Sequence, residues 1–212
     1  ISSKLFSYGI DVITMGNHTW DNKELEKFID SELSILRPLN YPPGNPGRGS
    51  VILDIKNTKI AVINLTGRVF MGNFDCPFRA VEEELKRLKE HNPMVIVDFH
   101  AEATAEKIAL GWFLDGKASA VIGTHTHVQT ADERILPCGT AYITDVGMTG
   151  AHDSVIGIKK ELALKRFLTQ MPVKFDVASG DVRFSALFVR INPKNNKTEE
   201  VVRIQEKLVP ES

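Results

Sequence analysis

The chain holds 212 residues, 42% hydrophobic and 25% charged, the proportions of an ordinary globular domain rather than of a disordered or fibrous chain. Lys plus Arg number 26 against 27 Asp plus Glu, and the resulting net charge of −1 excludes a broad basic field for nucleic acid while allowing a local site for a small anion. No apolar run approaches the roughly 20 residues that span a bilayer.

Cys76 and Cys138 are the only cysteines and lie outside any Cys-x-x-Cys pattern, which points to reduced thiols in a cytoplasmic protein with no membrane partner. The expected elements run as follows. Ile1, Leu5 and Tyr8 already follow helical spacing, closed by Gly9, with no capping residue ahead of them. Such a start reads as a cut, so residues 1–212 are expected to form one domain truncated at its N-terminus. A strand at 11–15 precedes a helix at 22–32. The Pro/Gly-rich stretch 37–50 then reads as a surface or rim loop. Strands at 50–55 and 59–65 join through Lys56-Asn57-Thr58 as a hairpin. The clearest helix is 77–91, with Asp75 as its N-cap and Pro77 in the first turn. Strand 94–99, helix 102–114, strands 118–122 and 141–144, and helix 159–170 follow. Strands 184–191 and 200–204 close the chain through the turn 193–197. Hairpins mixed with β-α-β alternation predict an α/β fold of two packed mixed sheets flanked by helices.

The chemistry-bearing residues gather at strand ends. "DVITMGNHTWDN" stops at Asn17-His18, "MVIVDFHAEAT" at His100, "AVIGTHTH" at His125 and His127, and "AYITDVG" near Asp145. Carboxyl ends of strands in α/β sheets open onto a ligand crevice. Neutral imidazole offers a directed lone pair without charge, which suits a divalent metal. His125 and His127, two apart in extended chain, would point to the same side.

Together "GNHTWD", "DFHAEAT" and "GTHTH" resemble the later motifs of the calcineurin-like metallophosphoesterases. The longer segments "GNHTWDN", "DFHAEATAEK" and "GTHTHVQTADERILPCGTAYITDVGMTG" are more specific still. They resemble the bacterial YmdB-type 2′,3′-cyclic-nucleotide phosphodiesterases. The resemblance covers essentially the whole chain. It implies a four-layer α-β-β-α sandwich lacking its first strand and helix elements, and two metal ions, iron or manganese. Asn17, His100 and His125 would hold one ion, His127 the second, and His18 would be the general acid. The substrate implied is a small phosphodiester or cyclic nucleotide, opened to a 3′-nucleotide. The family pattern also places a strand-end Asp and a Glu-Asn pair ahead of Gly-Asn-His, and neither occurs here. The donors present are all neutral, and two close divalent ions repel without a bridging carboxylate. One ion or none is therefore expected if those acids are absent. Two other readings stay open: a phosphomonoesterase of the same fold, and a truncated non-catalytic regulatory module. A homo-oligomer is compatible with all three.

Other residues carry two readings each. Asp98 and Asp145 could ligate the metal themselves, although orienting a ligand histidine or being a buried acid satisfied by backbone amides is the favoured reading. Asn64, Arg68, Thr126 and Thr149 are candidates for substrate contact, with turn hydrogen bonding as the alternative. Glu102 and Glu106 read as caps of the helix that follows His100. Trp20 and Phe70 could stack on a base, although core packing is the favoured reading.

Overall fold

The computed structural model of the chain describes residues 1–208. In chain order its elements are α1 (Ser2–Ser7), β1 (Ile13–Thr14), α2 (Lys23–Phe28), β2 (Ile35–Leu36), β3 (Ser50–Ile55), β4 (Thr58–Thr66), α3 (Pro77–Leu88), β5 (Met94–His100), α4 (Thr104–Leu114), β6 (Ala120–Thr124), β7 (Arg134–Ile135), β8 (Ala141–Ile143), β9 (Gly150–Ala151), α5 (Lys160–Thr169), β10 (Val182–Ile191) and β11 (Thr198–Lys207). Among the described residues no helix is long and apolar enough to cross a membrane.

The hairpin expected at Lys56-Asn57 forms between β3 and β4, with both residues at positive φ (+52° and +64°). Left-handed backbone at both central positions matches the right-handed twist of the flanking strands. From there a six-stranded mixed sheet runs in the order β3-β4-β5-β6-β8-β7. Its four inner strands are parallel, and the edge strands β3 and β7 are antiparallel. β11-β10-β9 form a second sheet, and β1-β2 a short parallel pair. The second sheet is tied to the first where Thr198 Oγ1 and Asn196 meet Ser119, and where Gln129 donates to the carbonyls of Ala186 and Ile204. The architecture is the expected α/β one of sheets with helices, but only the six-stranded sheet is mixed; the second sheet is antiparallel throughout.

Continuous apolar runs such as "MVIVDF" suit inner parallel strands, which are covered on both faces. Ile63, Leu65, Val97, Phe99, Leu110, Leu114 and Tyr142 are fully or almost fully buried around this sheet. Each such side chain contributes roughly 1.5–3 kcal/mol relative to exposure. Register does the rest: Thr66 pairs with His100, and His100 with Thr124. Three strand ends therefore finish level with one another, and the loops that follow share one rim.

Several expectations need correction. The residue that caps α3 is Cys76, and it offers no side-chain bond; Asp75 is engaged by Asn40 instead, through its amide and its carbonyl. Stretch 37–50 is more than a surface loop. Pro38, Asn40 and Tyr41 are buried, and the Asn40 amide group bonds the backbone of Thr66 and Asp75. α4 begins at Thr104 with no side-chain cap, because Glu102 and Glu106 are committed elsewhere. β2, β7 and β9 are two-residue strands, too short for any alternation to register.

Candidate metal centre

The rim gathers Asn17, His18, His100 and His125. His100 Nε2 lies 2.8 Å from Asn17 Oδ1 and 3.0 Å from His125 Nδ1. Proton bookkeeping shows what this triangle is. Thr124 donates its hydroxyl to Asp98 at 2.9 Å, so it can only accept from His100 Nδ1, 3.1 Å away. His100 is thus protonated on Nδ1 and carries a bare lone pair on Nε2. Burial, together with the neighbouring His125 imidazole, lowers its pKa to about 4, so the ring is neutral at pH 7. Burial pushes the Asp98 carboxyl up to about 6, which still leaves it ionised and accepting at pH 7.

His125 is handled the same way. Its Nε2 faces the Glu102 carboxylate at 3.1 Å, and the tautomer with its proton on Nε2 leaves Nδ1 bare toward His100. Burial lowers the His125 pKa, with Glu102 opposing it. Asn17 Nδ2 points toward His18 Nε2 at 3.5 Å, which turns Asn17 Oδ1 toward His100. In these tautomers three lone pairs converge with no proton between them. That arrangement is repulsive unless a cation lies inside it. Donors held about 2.1 Å from one ion at right angles to each other sit about 3 Å apart, the spacing between His100 Nε2 and its two neighbours. Carboxylate or hydroxyl groups behind ligand imidazoles are the usual way such a set is oriented. Among the described residues no three His, Cys, Asp or Glu side chains close around one point; the third donor is an amide.

His127 stands apart from the triangle. Its Nδ1 donates to the Ile156 carbonyl at 3.0 Å, beside a cleft of about 230 Å³ shared with Met148, His152 and Ser154. His125 and His127 take φ of +104° and +67°, so they do not follow the extended two-residue alternation expected of them. Side chains with a Cβ rarely adopt such backbone, and they do so where the surroundings impose it. The imposing group is Asp145. One of its oxygens accepts the Thr126 amide (3.0 Å), the Thr126 hydroxyl (2.8 Å) and Lys107 Nζ (2.7 Å), and the other accepts the Gly147 amide (2.9 Å). Lys107 and Asp145 are almost wholly buried. Asp98 thus accepts from the Thr124 hydroxyl that meets His100, and Asp145 anchors the turn that carries His125 and His127; neither is bonded to a histidine ring among the described residues.

Two glycines make the approach possible. A Cβ on Gly16 would lie 2.3 Å from His100 Nε2, and one on Gly123 would lie 1.7 Å from the Thr144 carbonyl. We expect Gly16→Ala to leave the fold intact, because the ring rather than backbone must move, yet to displace His100 from the triangle. A misplacement of that size costs about 10²-fold in turnover. Circular dichroism and steady-state rates on the full-length protein check this, and an unimpaired variant would show that His100 is not where the chemistry needs it.

The remaining candidates separate. Asn64 is fully buried, and its amide donates to the carbonyls of Met15 (2.7 Å) and Leu36 (2.9 Å), so it clamps β1 and β2 and cannot reach a substrate. The Thr126 hydroxyl is consumed by Asp145, and the Thr149 hydroxyl bridges to the Ser185 backbone. Arg68 alone keeps an exposed side chain without a hydrogen bond or ion pair among the described residues. Glu102 meets His125 and Glu106 accepts the amides of Arg68 and Val69, so neither is a cap. Trp20 packs with Leu25, Ile29 and Ile35, while Phe70 is 89% exposed and has no place in the core. Sequence reasoning misses Lys107, Thr124 and Asp21. Asp21 binds His18 Nδ1 at 2.8 Å. Lys107 does leave a signal: one charge on the apolar stripe that continues through Leu110, Gly111 and Leu114.

The chain is 50% identical to the 2′,3′-cyclic-nucleotide 2′-phosphodiesterase of Bacillus subtilis (strain 168), over 204 residues covering 96% of this chain and 77% of that protein. Among solved structures, a hypothetical protein from Thermus thermophilus matches with TM-score 0.90 and 43% identity, covering 97% of this chain and 80% of its own. A phosphatase of Mycoplasma pneumoniae matches with TM-score 0.89 and 33% identity, covering 97% and 75%. The model of the YmdB-like protein family matches residues 1–204, and the chain belongs to that family.

Proposed function

We propose that the chain is a metal-dependent phosphodiesterase that hydrolyses 2′,3′-cyclic nucleotides to 3′-nucleotides. The observation that carries this reading is the triangle of bare lone pairs formed by Asn17 Oδ1, His100 Nε2 and His125 Nδ1. These three would hold one ion, and His127 Nε2, freed by the bond of Nδ1 to Ile156, would serve a second. Imidazole and amide donors suit iron, manganese or zinc. A bound ion supplies Lewis acidity toward phosphoryl oxygens and water.

The chain's own contribution to the proton balance is His18. Asp21 accepts from its Nδ1, so the proton His18 gives up is the second one, carried on Nε2 of the imidazolium form, on the side of Asn17. A water oxygen adds to phosphorus in line with the 2′-oxygen, releasing one proton to solvent, and the P–O2′ bond breaks. The proton on His18 Nε2 passes to that oxygen, and a 3′-phosphate remains. Arg68, exposed on the segment that leaves β4 beside His100, would meet a non-bridging phosphate oxygen. Such chemistry needs neither a membrane surface nor an extended nucleic-acid groove.

Full-length protein purified with metal is expected to retain at least one ion per chain. Chelation should abolish hydrolysis of 2′,3′-cyclic AMP, and re-addition should restore it. Turnover that ignores chelation, in a protein free of metal, refutes the reading. A panel adding 3′,5′-cyclic AMP and an aryl phosphate decides the substrate class; preference for the aryl phosphate makes the enzyme a monoesterase.

A further inference from the structure

The segment between β4 and α3 leaves the sheet beside the candidate centre. Thr66 pairs with His100, and the Gly67 amide donates to the His100 carbonyl at 2.9 Å. Its root is clamped by Glu106, whose carboxylate accepts the Arg68 amide (3.0 and 3.2 Å) and the Val69 amide (3.3 Å). Just beyond the clamp stands Phe70, with φ of +61° and 89% of its surface exposed. Left-handed backbone is unfavourable for a bulky L-residue, and an exposed phenyl ring forgoes the gain of burial. The Arg68–Met71 turn, closed by the Met71 amide on the Arg68 carbonyl at 3.2 Å, accounts for the backbone; burial does not account for the ring, which that turn presents to solvent.

The other aromatic of this segment shows the contrast. Phe74 stacks on Tyr41 with ring centres 4.9 Å apart, and the Tyr41 hydroxyl donates to the Gly16 carbonyl. Phe74 is thus committed to the wall behind Asn17. Between this wall and the Glu106 clamp lies an open cleft of about 510 Å³, lined by Arg68, Val69, Gly72, Asn73 and Phe74; Phe70 does not line it but stands in the turn between Val69 and Gly72.

We infer that Phe70 is a specificity residue, stacking on the nucleobase of a nucleotide whose phosphate lies at the Asn17–His100–His125 triangle. The inference rests on the phosphodiesterase reading above. A base offers a flat π-face whatever its hydrogen-bonding edge, so an aromatic ring accepts any of the four; stacking alone discriminates nucleotides from base-free phosphodiesters. The Glu106 clamp makes the ring's root rigid, so little ordering is left for binding to impose.

The test uses the full-length protein with two substrates, 2′,3′-cyclic AMP and the base-free methyl riboside 2′,3′-cyclic phosphate. Phe70→Ala is expected to raise KM for the nucleotide about tenfold and to leave KM for the riboside unchanged. Phe70→Trp should restore the nucleotide KM. The exposed ring makes both variants safe for folding. Equal changes on the two substrates, or none on either, overturn the inference while the phosphodiesterase reading survives. Failure of the unmutated protein on both substrates refutes that reading, and this inference falls with it.

Discussion

Replacing His18 by alanine in the full-length protein is expected to lower kcat for 2′,3′-cyclic AMP by about 10²–10⁴, the usual worth of a positioned general acid, while bound metal stays constant. The expectation follows from the placement of the two ring nitrogens. Nδ1 belongs to Asp21, Nε2 looks toward Asn17, and neither is needed to close the lone-pair triangle. The side chain is largely exposed, so its truncation leaves no buried cavity. An activated leaving group such as p-nitrophenol needs no proton, so a p-nitrophenyl phosphodiester should lose far less rate than the nucleotide. Loss of metal in the variant would instead make His18 a ligand and sink the assignment.

The second large effect lies away from substrate. Lys107→Ala should destabilise the protein by about 3–5 kcal/mol, the cost of leaving one partner of a buried ion pair uncompensated. Lys107 and Asp145 are 1% and 2% exposed and 2.7 Å apart. Asp145 also fastens Thr126, and with it the positive-φ turn that carries His125 and His127. Apparent metal affinity should therefore fall about 10–100-fold along with stability, as for other groups that hold ligands in place. Urea unfolding and metal titration measure the two effects separately. A variant within about 1 kcal/mol of the parent would mean that Asp145 finds its compensation elsewhere.

Phe70 and Asn64 show where reading the chain alone falls short. Their places are the reverse of those expected: the residue favoured for the core is exposed at the rim, and the candidate substrate contact is buried under β1 and β2. Local pattern cannot separate these outcomes, because it reports chemistry and spacing but not which neighbour arrives. Glu102 makes the same point. Two residues before a helix it reads as a cap, yet the turn after β6 brings His125 within 3.1 Å of it.

Residue order states the periodicities and the donor types directly: where strands end, which of them end in imidazole or amide, and where a hairpin must turn. These depend on interactions within a few residues of one another. Which donors share a point, and which proton each ring carries, emerges only once the chain is packed. Packing sets Asn17, 83 residues from His100, against that ring and leaves His127 outside the triangle. The reason is that level strand ends and buried carboxylates fix tautomers through long-range contacts, and no local rule encodes a contact across the sheet.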